Sequence, residues 1–219
     1  MNGMLELTDV VSCEFKKGEY IIRQGEKIQF LYYLASGSCY RTTFTEKGDE
    51  IIFGVKEASN NSFIECMLGV LILYTDNETS VNNFIAKTNC SCYKIPKETF
   101  LQYVQDKPNI LTQLVSMAMA ELRELTSSFQ ARQEGKVANR LCELLLKNSQ
   151  QKQGRLLVNK DYSNHTKISQ FLGIHKVTVA KIIKALKEEG VISKERAGIV
   201  ILDKDRLTAY AQAEKTIEY

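Results

Sequence analysis

The sequence predicts an α+β chain: a β-barrel or sandwich, then a long helix, then a winged helix-turn-helix. Three observations predict it. Residues 14–95 are rich in β-branched and aromatic residues, broken at intervals by glycine or by Asn and Asp. From Pro108 to about Gln133 no breaker appears, and apolar residues recur at helical spacing. The charge also divides: residues 1–135 carry 13 Lys/Arg against 17 Asp/Glu, a balance of −4, and residues 136–219 carry 16 against 9, a balance of +7. Only the second part suits a polyanion. The expected organisation is therefore 1–107, 108–135 and 136–219.

In the first part, "EYIIRQG", "FLYYLASG", "SCYRTTFTEKGDEIIFGV" and "NNFIAKTNCSCYKI" read as short strands joined by turns. "EKGDE" (46–50) separates two strand-like runs and predicts a hairpin loop. Short strands at this spacing suit a barrel or a sandwich. "PKETFLQYVQDKPN" reads as a short helix, with Pro96 and Pro108 at helix starts. Leu111, Val115, Ala118, Leu122, Leu125 and Phe129 then form a heptad seam. A lone helix packed on its own barrel would show the same stripe; the length of the run favours a two-fold coiled coil and a homodimer. Gly135 marks a hinge.

Beyond it, "KVANRLCELLLKNSQ" is a second amphipathic helix, and "QQKQGRLLVNKDYS" is polar and then strand-like. Asn164 is placed to cap "HTKISQFLG", a short helix ending at Gly173. "HKVTVAKIIKALKEEG" is a longer helix, and "VISKERAGIVIL" reads strand, Ala-Gly turn, strand. Helix, short turn, helix and hairpin describe a winged helix-turn-helix. In such a motif the second helix enters the major groove of double-stranded DNA by its N-terminus. Val177, Ile182, Ile183 and Leu186, with Val179 nearby, supply the inner face. His175, Lys176, Thr178 and Lys181 face DNA, the first three nearest the base edges. Lys184, Ser193 and Lys194 are expected on phosphates, with Lys187 further along. His175 also suits a helix cap, a phosphate contact or a pH-sensitive group, in that order.

Six cysteines, Cys13, Cys39, Cys66, Cys90, Cys92 and Cys142, show no CxxC spacing and read as small buried hydrophobes. Cys90 and Cys92 alternate as strand residues on one face. The two histidines, His165 and His175, both fall in the basic part, and the barrel carries no metal-ligand, nucleophile-base or phosphate-loop pattern. An enzyme with a catalytic or metal site is thus not expected. The longest apolar run, Met67 to Leu73, is too short to span a membrane, and "MNGMLELTDVVSCEF" lacks a signal-peptide pattern. A cytoplasmic protein without a membrane partner is expected.

From Phe15 to about Leu207 the chain resembles the CRP-FNR family of bacterial transcription regulators. "KKGEYIIRQGEKIQFLYYLASGSCYRTTFTEKGDEIIF" is similar to the first half of that family's cyclic-nucleotide-binding-like β-roll, with Gly18, Gly25 and Gly37 at its turns. "IPKETFLQYVQDKPNILTQL" resembles the start of its dimerisation helix, and "ISQFLGIHKVTVAKIIKALKEEGVI" its recognition segment. The resemblance implies a jelly-roll-like β-roll (a double-stranded β-helix), a homodimer on a palindromic operator, and RNA polymerase as a further partner. It also implies an effector pocket between roll and helix, with Glu65, Cys66, Asn82 and Asn83 as walls, and Met119, Leu122 and Arg123 from the helix.

The departures bear on the effector. Nucleotide-binding members carry Phe-Ile-Gly-Glu and then Arg-Ser. Here "SFIECML" puts Glu65 and Cys66 at the Gly-Glu positions, and "TSVNNF" puts Ser80-Val81 at Arg-Ser. Leu125-Thr126 replaces the Thr-Ser that such members present to the base. Without a cation for the phosphate, cyclic AMP is a poor candidate, and a different small organic effector is expected. A ligandless or redox-sensing roll is the alternative. The N-terminal cysteine cluster of oxygen-sensing members is missing, and no haem-ligand pattern is present. On the recognition helix, Lys176-Val177 replaces the Arg-Glu of many members, and a valine suits A·T-rich half-sites through thymine methyls. "GIHKVTVAK" resembles the family's halorespiration regulators, which sense chlorinated phenols.

Overall fold

The computed structural model describes residues 7–59, 62–73, 75, 78–133, 136–152, 154–196 and 198–219. Eight strands come first: β1 (Val11–Phe15), β2 (Tyr20–Ile22), β3 (Phe30–Ser36), β4 (Ser38–Phe44), β5 (Glu50–Glu57), β6 (Met67–Leu68), β7 (Asn83–Ala86) and β8 (Cys90–Pro96). They form two four-stranded sheets, ordered β1-β8-β3-β6 and β2-β7-β4-β5, with antiparallel pairing throughout. This is the expected roll. The "EKGDE" loop closes the β4–β5 hairpin, where Thr45 N donates to Asp49 O at 2.9 Å and Gly48 N to Thr45 O at 2.9 Å. Gly37 joins β3 to β4 with φ +87°, and a Cβ there would lie 2.3 Å from Asn89 O, so only glycine fits.

Helix α1 (Lys97–Gln105) follows β8 directly, with Pro96 at its N-cap, and α2 (Pro108–Gln133) starts on Pro108. Both prolines stand where a missing N–H costs no intrahelical bond. The roll's core gathers Leu31, Leu34, Ile64, Leu68, Ile95 and Phe100, and takes Ile110 and Leu114 from α2.

The remaining chain has its own core, built on Leu141, Leu145, Ile168, Ile182, Leu186 and Leu207. Its helices are α3 (Val137–Lys147), α4 (His165–Leu172), α5 (Lys176–Glu188) and α6 (Lys204–Ala211). Its strands are β9 (Ser149–Lys152), β10 (Arg155–Val158), β11 (Ile192–Glu195) and β12 (Gly198–Ile201), in one antiparallel sheet ordered β11-β12-β10-β9. Asn164 Oδ1 accepts from Thr166 N at 2.8 Å, and Gly173 closes α4 in the left-handed region, as the sequence predicts. Residue contacts divide the chain into Met1–Glu124 and Leu125–Tyr219. The hinge read at Gly135, and Ala197 of the Ala-Gly turn, lie outside the described residues.

Cys39, Cys66, Cys90, Cys92 and Cys142 are buried and Cys13 is half-buried, all as free thiols. Burial pushes the Cys39 and Cys142 thiols up to about 12, and raises those of Cys92, Cys90 and Cys13 as well. No helix among the described residues is long and apolar enough to cross a membrane.

Candidate DNA-binding helix and ligand cavity

Helix α5 meets α4 through a tight junction, where Ile174 N donates to Ser169 O at 3.1 Å. His175 takes the N-cap position, but its side chain makes no capping bond. Val179, Ile182, Ile183, Ala185 and Leu186 are buried. Lys176, Lys181, Lys184 and Lys187 are exposed, and Thr178 is half-buried. Val177 departs from the sequence expectation: it is 67% exposed rather than part of the inner face. The reason is angular. Two residues before Val179, it lies about 200° round the helix from the buried stripe. It therefore joins the outward face beside Lys181.

The β11–β12 hairpin forms the wing. Lys194 on it is exposed. The Ser193 hydroxyl is instead buried, without a partner among the described residues, so it does not face the surface a phosphate reaches. Arg155 holds Glu195 through both of its terminal nitrogens, fixing the wing's tip to β10. His165, at the start of α4, has a buried Nε2. Its imidazole is held below the usual histidine range, first by burial and then by Lys194 and Lys176. The recognition helix and the wing thus bring two lysines to act on the same ring.

Within the roll, a cavity of about 250 Å³ lies between strands and the first half of α2. Its wall is largely apolar, with Met67, Val70, Ile72, Val81, Phe84 and Met117. Three charged groups break it: Arg41 on β4, Lys56 on β5 and Glu121 on α2. Arg41 Nη1 donates to Glu121 Oε2 in an ion pair that is largely buried, the side chains 13% and 20% exposed. Lys56 Nζ donates to the carbonyls of Glu65 at 3.3 Å and Met67 at 3.5 Å, and approaches Met117 Sδ at 3.9 Å. Burial pulls the Lys56 ammonium below the ordinary lysine value; Glu121 opposes that shift and Arg41 adds to it.

Two family models match the chain: the cyclic nucleotide-binding domain over residues 12–107 and the Crp-like helix-turn-helix domain over residues 135–210. The chain belongs to the CRP-FNR family of DNA-binding transcription regulators. The cAMP-activated global transcriptional regulator CRP of Salmonella typhimurium is 27% identical over 185 residues, which cover 83% of this chain and 84% of that protein. The transcriptional activator protein anr of Pseudomonas aeruginosa is 24% identical over 199 residues, covering 90% and 78%. Among solved structures, the c-di-GMP responsive regulator CLP of Xanthomonas campestris has a TM-score of 0.75 at 17% identity, covering 92% of this chain and 99% of that one. A CRP/FNR-family regulator of Thermus thermophilus has a TM-score of 0.70 at 19% identity, covering 92% and 98%.

Among the effector residues read from the CRP-FNR resemblance, the cavity takes Asn82 into its wall. Asn83 is buried but turned to structure, its Oδ1 accepting from Gln24 N at 2.8 Å. Cys66 is buried and exchanges hydrogen bonds with the backbone of Ser59, at 3.2 Å each. Glu65, Met119, Leu122 and Arg123 are exposed and do not line the cavity. Ser80, at the family's arginine position, does line it, and its hydroxyl donates to Asn82 O at 2.7 Å. The family's phosphate-binding position carries no cation for a ligand's acidic group, since Ser80-Val81 stands there. The structure supplies two, Arg41 and Lys56, from strands that the family motif does not include.

Proposed function

We propose that the chain is a homodimeric, ligand-gated transcription regulator that binds a palindromic operator and works with RNA polymerase. Its effector is a small organic molecule, other than cyclic AMP, that occupies the roll cavity. One observation carries the gating. Met117 and Glu121 line the cavity, and they sit on the helix whose outer face carries the exposed seam. An occupant therefore touches the proposed dimer helix directly, which is the differential contact that ligand gating requires.

Against cyclic AMP stands the Ser80-Val81 pair, which puts no cation at the family's phosphate position; Arg41 and Lys56 reach the cavity from other strands. The Ser80 hydroxyl is already spent on a backbone carbonyl. The raised thiols count against a redox-sensing roll, since the thiolate is the reactive form. On the DNA side, His175, Lys176, Val177, Thr178 and Lys181 meet the base edges or their surround, and Lys184 and Lys194 take phosphates.

Calorimetry with cyclic AMP should show no micromolar binding, and native mass spectrometry of freshly purified protein should show a small organic molecule on the dimer. Adding that molecule should raise the melting temperature. Micromolar binding of cyclic AMP would overturn the choice of effector. A roll empty in every preparation, with operator binding at full strength, would favour the ligandless reading.

A further inference from the structure

We propose that the effector is a small monoanion with an apolar body, its acidic group held by Lys56. This rests on the reading of the roll cavity as the effector site and adds the ligand's charge to it.

The wall sets the body: aliphatic and thioether side chains offer dispersion contact but no polar recognition. The charges set the head. Three ionisable groups line the cavity: two cations and one carboxylate. The carboxylate, Glu121, is already tied to Arg41. Lys56 donates to neutral acceptors, two carbonyls and a thioether. The cavity is thus one positive charge in excess.

That excess discriminates among occupants. A neutral molecule would strip remaining water from Lys56 and return no charge, deepening a desolvation that already weighs on the ammonium. A cation would meet two like charges. A dianion would leave one negative charge buried without a partner. A single acidic group cancels the excess. Lysine suits the task because its ammonium is a compact charge on a flexible stem, able to turn from a carbonyl to a ligand oxygen.

A purely structural Lys56, pinning the carbonyls of Glu65 and Met67, is the competing account, and the experiment separates the two. Full-length protein is titrated by calorimetry at neutral pH with benzoate, phenylacetate and octanoate, each beside its own neutral amide. Lys56→Met and Lys56→Gln remove the charge, and Lys56→Arg keeps it. The expected result is that at least one acid binds about tenfold more tightly than its amide. That preference should vanish in both uncharged variants and survive in Lys56→Arg, with the melting transition still cooperative. Equal binding of acid and amide, an acid preference that outlives Lys56→Met and Lys56→Gln, or no binding by any of the three acids would each overturn the proposal. Amides that bind and change affinity for DNA would sink it while leaving the ligand-gated reading intact.

Discussion

Lys176, Val177 and Thr178 occupy the first turn of α5, the part of a recognition helix that reaches base edges. Lys184 lies two turns further on, exposed and paired with Glu188 at 3.6 Å. An exposed pair of that kind is weak and gives way readily to a phosphate. The two groups should fail differently. Lys184→Ala should weaken all sequences alike and, by removing one phosphate contact from each protomer of the dimer, lower the salt dependence by about two units of slope. Lys176→Ala or Thr178→Ala should cost about 1–3 kcal/mol at one base pair of the cognate site and relax the choice there. A selection of binding sites from random DNA with each variant reads the difference; parental motifs from both Lys176→Ala and Thr178→Ala would mean the helix docks otherwise. At this scale the sequence places the lysines on the exposed face, where the structure has them, and misplaces Val177, since apolar character alone does not say which face a residue takes. Arg41, Lys56 and Glu121 were not legible. They come from β4, β5 and α2, and only the closing of the roll puts them in one cavity.

Helix α2 carries two apolar stripes, and the distinction decides what the seam is for. Ile110 and Leu114 are buried against the roll, with Met117 packed beside them. The predicted seam lies one residue further round. Val115, Leu122, Leu125 and Phe129 on it, with Met119 beside them, are 48% to 61% exposed, and Ala118 is half-buried. Packing on its own barrel therefore accounts for the first stripe and leaves the second about half exposed. Large apolar side chains repeated along one exposed helix face favour a second copy. Leu122→Glu should split the dimer by placing a charge in a desolvated seam. Sedimentation velocity is the check: a monomer is expected, and a dimer of wild-type stability would remove the seam from the interface. The heptad was legible because spacing is a property of sequence. Helix α6 was not, because its eight residues show little apolar periodicity. Its one local signal is Asp203, whose carboxylate accepts from Arg206 N at 2.9 Å as an N-cap. Its place is fixed by partners distant in sequence: Arg206 pairs with Glu189 at 2.6 Å, and Asn139 Nδ2 donates to Tyr210 O.

For the whole molecule, the division of charge and the proposed two-fold symmetry act together. The first 135 residues are net acidic and the rest net basic, so a polyanion is drawn to the second part and repelled by the first. A dimer then presents two copies of α5 related by a two-fold axis, and each reads one half-site. Two such helices fit one face of the duplex only when the half-sites are about one helical turn apart, roughly 10 base pairs centre to centre. Inserting about 5 base pairs between the half-sites turns one of them to the far side of the DNA, half a turn away. The second helix then reaches no cognate base, and the remaining attraction is that of lysines for phosphates, which ignores sequence. Affinity for the lengthened operator should fall to that for unrelated DNA of equal length. An insertion of about 10 base pairs restores the face but not the distance, and should recover only part of the loss. Gel-shift titrations at one fixed salt concentration compare the three operators. Undiminished binding to the 5-base-pair insertion would mean that each α5 reads its half-site alone, and the two-fold arrangement would have to be abandoned.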